Sequence, residues 1–176
     1  MDGPGLIQVY TGNGKGKTTA ALGLALRAAG RGMRTFLAQF LKQGEYGERL
    51  AIRRHLADMI VVEQYGTGEF HQPQQGVSDA ERRAAVAGVA AVERAMASGR
   101  FQLVILDEVN TLLYFKILKP ANILALIDGK PAEVEMVLTG RRAPPSIRRR
   151  ADLITDMREI RHYFTRGVPA RPGIEY

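Results

Sequence analysis

The chain has 176 residues, 45% hydrophobic and 24% charged, which suits one globular domain with a buried core. It contains no cysteine, which excludes disulfides, thiolate metal sites and thiol nucleophiles, and no apolar run reaches the ~18 residues that a membrane span needs. The net charge of +7 fits a solvated basic surface, a nucleic-acid face or the attraction of small anions, and charge alone does not choose among them.

Short apolar runs alternate with helical patterns, which predicts an α/β fold: a doubly wound, mostly parallel sheet of about six strands flanked by helices. The opening MDGPGLIQVY lacks the basic region and apolar stretch of a secretory signal, so the expectation is a cytoplasmic protein. The run 6–11, LIQVYT, reads as the first strand, and 17–29 as a helix closed by Gly30. TFLAQFL at 35–41 and MIVVEQY at 59–65 read as strands, with a helix over 47–56 between them. Ser78 opens a long helix, because its hydroxyl can bond the amide of Glu81 while Glu81 reaches back. That helix runs to about Ser98 and stops at Gly99. LVILDE at 103–108, EVEMVLTG at 133–140 and LITDMREI at 153–160 complete the strands; the unbroken apolar run 103–106 suits burial on both faces. With no internal repeat, low-complexity tract or linker, residues 1–176 read as a single domain.

Between the first strand and its helix lies TGNGKGKTT, residues 11–19. A strand-to-helix turn gathers backbone amides at the positive end of the helix dipole, which makes an anion site. Glycines at 12, 14 and 16 let those amides approach a phosphate, Lys17 reaches the outer phosphates, and Thr18 offers a hydroxyl to a phosphate-bound Mg²⁺. The strict phosphate-loop pattern G-x-x-x-x-G-K-[ST] is met at Gly16-Lys17-Thr18, but Thr11 stands at its first glycine, so Gly12 must make the turn. Asp107 and Glu108, at the end of the apolar strand, supply acids for the metal shell; DEVN also has the form of a helix start. In an ATP-hydrolysing switch or motor of the recombinase type, Glu108 would be the base for water and Arg141 a charge stabiliser. A basic nucleic-acid-binding module, with the loop gripping backbone phosphate, is a reading from another class.

The blocks TGNGKGKTTAALGLALRAAG, QFLKQGEYGE, YGTGEF, LVILDEVN, LTGRRAP and the ending GIEY resemble, in order and over nearly the whole chain, the ATP:corrinoid adenosyltransferases of the P-loop type. A threonine before GNGKGKTT is itself a mark of that family. The resemblance implies an ATP lying reversed in the loop, with C5′ attacked by the Co(I) of a corrinoid and inorganic triphosphate leaving. It implies that Gly12, Asn13, Gly14, Lys15, Gly16, Lys17, Thr18 and Thr19 hold ATP, with Asn13 towards the nucleoside. It makes Glu108 a Mg²⁺ ligand with Thr18, with Asp107 beside or behind them, and places Arg141 at the active-site edge. Lys17, Glu108 and Arg141 are thus the expected catalytic residues. ATP, Mg²⁺ and a corrinoid are the expected small molecules, with no nucleic acid and no membrane. A homodimer and an external reductase or reductant are expected partners.

Some members carry a tryptophan facing the corrin; here GTGEFHQPQQ offers Phe70, which either packs on the corrin or joins the core, and His71, read as a surface residue. Some members also have a longer N-terminal segment over the site, whereas five residues precede the first strand here, so that cover is missing or comes from elsewhere. The tail YFTRGVPARPGIEY is expected to fold back near the site. KQGEYGER reads either as a mobile loop near the corrinoid or as a plain solvent loop.

Overall fold

Strand β2 (Thr35–Phe40) alternates its side chains between two cores: Phe36, Ala38 and Phe40 point to one, Leu37 to the other. The computed structural model, which describes residues 3–68 and 77–176, builds on that alternation a six-stranded sheet, parallel throughout. Its other strands are β1 (Ile7–Thr11), β3 (Ile60–Tyr65), β4 (Leu103–Asp107), β5 (Glu135–Thr139) and β6 (Leu153–Asp156). Their order across the sheet is β3-β2-β4-β5-β1-β6.

Helix α1 (Lys17–Ala29) and α2 (Gly47–His55) cover one face. There Ala21, Ala25, Ala28 and Ile52 meet Leu37, Leu103, Ile105 and Val137. On the other face lie α3 (Asp79–Ala97) and α5 (Pro120–Asp128), packed on Phe36, Val104, Leu106, Met136 and Leu138. The two short helices α4 (Val109–Tyr114) and α6 (Pro145–Arg148) follow β4 and β5. With helices on both faces, this is the doubly wound α/β sheet expected from the sequence. No helix among the described residues is long and apolar enough to cross a membrane.

Several boundaries differ from the sequence reading, each for a local reason. β2 stops at Phe40 because Leu41 takes φ +58°, and β4 stops at Asp107 because Glu108 takes φ +65°. β5 begins only at Glu135, after a turn in which Val134 N bonds Pro131 O. β6 spans Leu153–Asp156 instead of reaching 160: Met157 still bonds Thr11 O, but its own carbonyl turns to the amide of Gly14. α5 and α6 were not legible as separate helices, and of α4 only the start, in DEVN, could be read. The Ser78 cap is present, its hydroxyl accepting from Glu81 N at 3.1 Å, while the Glu81 carboxylate accepts from Thr67 N and Oγ1 and joins α3 to the exit of β3.

Candidate active site

The chain leaves β1 at Thr11 and turns through 12–16 before α1 begins. Gly12 has φ +98°, and a Cβ there would lie 2.4 Å from both Asp156 Oδ1 and Met157 O, so the turn predicted at this position requires glycine. The Gly14 amide donates to Met157 O at 2.7 Å, and Thr11 Oγ1 accepts from Ala143 N at 3.1 Å. Gly16, also left-handed, precedes α1 without any side-chain cap, so the first amides of the helix are available to a bound anion.

A cavity of about 680 Å³ opens over this loop. Gly14, Lys15, Gly16, Lys17, Thr18 and Thr19 line it from below, with Glu108 and Arg141 beside them. Lys17 is 6% exposed, and its Nζ donates to Gly14 O at 2.6 Å. Burial pulls its pKa below the ordinary lysine value, against the opposing field of Glu108. Asp107 is fully buried; its Oδ1 accepts from Thr18 Oγ1 at 2.8 Å and from Thr139 Oγ1 at 2.7 Å. Glu108 is held in its left-handed conformation by two threonines. Its amide donates to Thr139 Oγ1 at 2.9 Å, and its carboxylate accepts from the Thr111 hydroxyl. Thr111 Oγ1 in turn accepts from Arg141 N at 3.2 Å, which ties the arginine to the acid. Glu108 also stands at the N-cap of α4 without capping it, so the acid pair and the helix start read from DEVN coexist.

The predicted loop residues divide between two cavities. Gly12 and Asn13 face a second one, of about 410 Å³, with Arg142, Arg148, Asp156 and Arg158. Lys15 turns to the tail: its Nζ donates to Tyr163 OH and Ile174 O, both at 2.9 Å, and pairs with Glu175 Oε1 at 2.7 Å. The tail does fold back, and Gly173, Ile174, Glu175 and Tyr176 close one side of the larger cavity. Phe70 and His71 lie outside the described residues.

Sequence reasoning missed Thr111 and Thr139, whose hydroxyls gain meaning only once β4 and β5 are neighbours. It did not single out Lys42 and Glu48, which line the same cavity with Gly47; the segment read either as a mobile loop near the corrinoid or as a plain solvent loop thus contributes to this cavity. The signal for Lys42 was a cation directly after an apolar strand. Among the described residues no group of three or more His, Cys, Asp or Glu could hold a metal by itself. Thr18 and Glu108 offer oxygen donors that suit Mg²⁺, provided phosphate and water oxygens complete the shell.

Residues 4–176 match the model of the family described as ATP:corrinoid adenosyltransferase BtuR/CobO/CobP. The corrinoid adenosyltransferase of Pseudomonas aeruginosa is 34% identical over 175 residues, covering 99% of this chain and 85% of that protein. The corrinoid adenosyltransferase CobA of Salmonella typhimurium is 33% identical over 174 residues, covering 98% and 86% of the two chains. That of Escherichia coli K12 is 34% identical over 178 residues, covering 100% and 88%. A glycine loop facing a paired acid within a parallel sheet, and a match that runs from residue 4 to the last, together show that the chain belongs to the ATP:corrinoid adenosyltransferase family.

Proposed function

We propose that the chain, working as one domain over residues 1–176, transfers the 5′-deoxyadenosyl group of ATP to the Co(I) of a corrinoid and releases inorganic triphosphate, in adenosylcobalamin synthesis or salvage. The observation that carries the reading is the cavity in which loop amides, Lys17 and Arg141 converge beside Glu108, in a member of this family. The Co(I) electron pair becomes the new Co–C5′ bond, the C5′–O bond breaks, and its pair departs on the triphosphate. No proton moves in that step, so the site needs no general base.

The chain's task is therefore to hold the leaving group and stabilise its growing negative charge. Loop amides and the Lys17 ammonium do so along the phosphates, and Arg141 does so at the edge. Thr18 and Glu108 would hold Mg²⁺, which when bound spreads the phosphate charge; Asp107 orients the Thr18 hydroxyl from behind. In this reading Gly12, Asn13 and Thr19 complete the ATP contacts, Phe70 is assigned to corrinoid binding, and the chain acts as a cytoplasmic homodimer supplied by an external reductant. The absence of cysteine from the sequence supports an external electron source. Neither the recombinase-type ATPase nor the nucleic-acid module is favoured by the family or by the relatives.

The test is anaerobic mixing of the protein with MgATP and chemically reduced cobalamin. The spectrum should convert to that of the Co–C bonded corrinoid, and omission of ATP or protein should leave it unchanged. Size measurement by light scattering, with twice the chain mass expected, tests the dimer.

A further inference from the structure

Asp107 has a partner that the transfer described above does not use. Lys42 Nζ lies 3.1 Å from Asp107 Oδ2 and 3.5 Å from Glu48 Oε1, over the Tyr46 ring at 5.3 Å. This is no surface pair, since the Lys42 and Asp107 side chains are 18% and 0% exposed. Gln39, fully buried, donates to the same Glu48 oxygen at 3.0 Å, and Gln64 donates to Gln39 at 3.2 Å. The ammonium thus lies between two carboxylates, one fully buried and one 18% exposed, which match its charge from two sides.

The backbone is built to put this cation there. Leu41, directly before it, takes the left-handed φ of +58°, a conformation that is costly for a non-glycine residue. Gly66, just past β3, passes close beneath: a Cβ on it would lie 2.6 Å from Lys42 N and 2.7 Å from Leu41 C. Only glycine allows that approach.

Every Asp107 oxygen is thereby occupied, Oδ1 by the Thr18 and Thr139 hydroxyls and Oδ2 by Lys42. We propose that Lys42 is a positioning residue: a built-in monovalent cation that fills the gap between Asp107 and Glu48, keeps divalent ions out of it, and so reserves Asp107 for Thr18. The inference rests on reading the loop cavity as the ATP site. A divalent ion in that gap would draw Asp107 away from the Thr18 hydroxyl and turn that hydroxyl from the nucleotide. Without the ammonium, the two carboxylates that flank the gap would lose the cation between them, which favours capture of another ion.

The test is Mn²⁺ titration followed by electron paramagnetic resonance, comparing the wild type with Lys42→Met, which keeps the length and loses the charge. Nucleotide-free Lys42→Met should gain a Mn²⁺ site at least tenfold tighter than any in the wild type. With ATP added it should hold two ions per chain with dipolar-broadened lines, against one ion in the wild type. Lys42→Arg should restore the single-ion spectrum. Lys42→Gln serves with the same expectation should the methionine variant fail to fold. A folded variant that binds Mn²⁺ as weakly as the wild type, and one ion with ATP, would overturn the role given to Lys42. Failure of the wild type to bind MgATP in a parallel titration would instead overturn the nucleotide reading beneath it.

Discussion

Lys15 and Lys17 share one loop but stand in opposite environments. Burial lowers the pKa of Lys17, whereas hydrogen bonds to Glu175 and Tyr163 raise that of Lys15. Lys17 is the lysine aimed inward, with its ammonium parked on Gly14 O until an anion competes for it. Lys17→Ala should therefore weaken MgATP binding at least tenfold in calorimetry, since a charge-assisted contact is worth about 1.5–3 kcal/mol. Unchanged affinity would remove Lys17 from the phosphate site. Glu108 is tested through the metal. Glu108→Gln keeps the size and the Thr111 contact but loses the charge, so half-maximal turnover should need several-fold more Mg²⁺. A normal Mg²⁺ response would show that Glu108 does not hold the ion.

Among the elements, the tail gains most from the tertiary structure. Its prolines and glycines give no periodicity, so the sequence could not order it without the family resemblance. In the fold, Glu175 accepts from Arg171 N at 2.8 Å, pairs with Lys15, and accepts from the Tyr163 hydroxyl. Arg171, then Lys15 and Tyr163, hold its carboxyl well below the usual carboxylate range. A carboxyl with a lowered folded pKa contributes stability that is present above its ordinary value of 4.5 and is lost only as pH falls through the lowered one. The Arg171 amide resonance should accordingly stay flat by NMR as pH falls from 7 to 4. An inflection near 4.5 would show that the tail is not docked through Glu175. The strands and long helices were legible because near-continuous apolar runs, the Ser78 cap and Gly30 mark them locally. Of the short helix after Glu108 only the start could be read, in DEVN, because the left-handed turn that leads into it is held by Thr111 and by Thr139 of the neighbouring strand.

At the scale of the whole molecule, parallel order brings the carboxyl ends of β1, β2 and β4 to one edge, and with them the glycine loop, Lys42 and the Asp107–Glu108 pair. The loop and the acid pair could be named from sequence because each carries its chemistry in consecutive residues. Lys42, Glu48, Thr111 and Thr139 could not, because strand pairing and packing assemble them. The same edge could in principle serve attack at a phosphorus or at C5′, so site variants alone do not separate the two chemistries. The phosphorus-containing product does. Phosphorus NMR of a reaction with MgATP and a Co(I) corrinoid should show inorganic triphosphate, one for each Co–C bond formed, with little ADP and negligible turnover when the corrinoid is omitted. Robust release of ADP and phosphate without corrinoid would contradict adenosyl transfer.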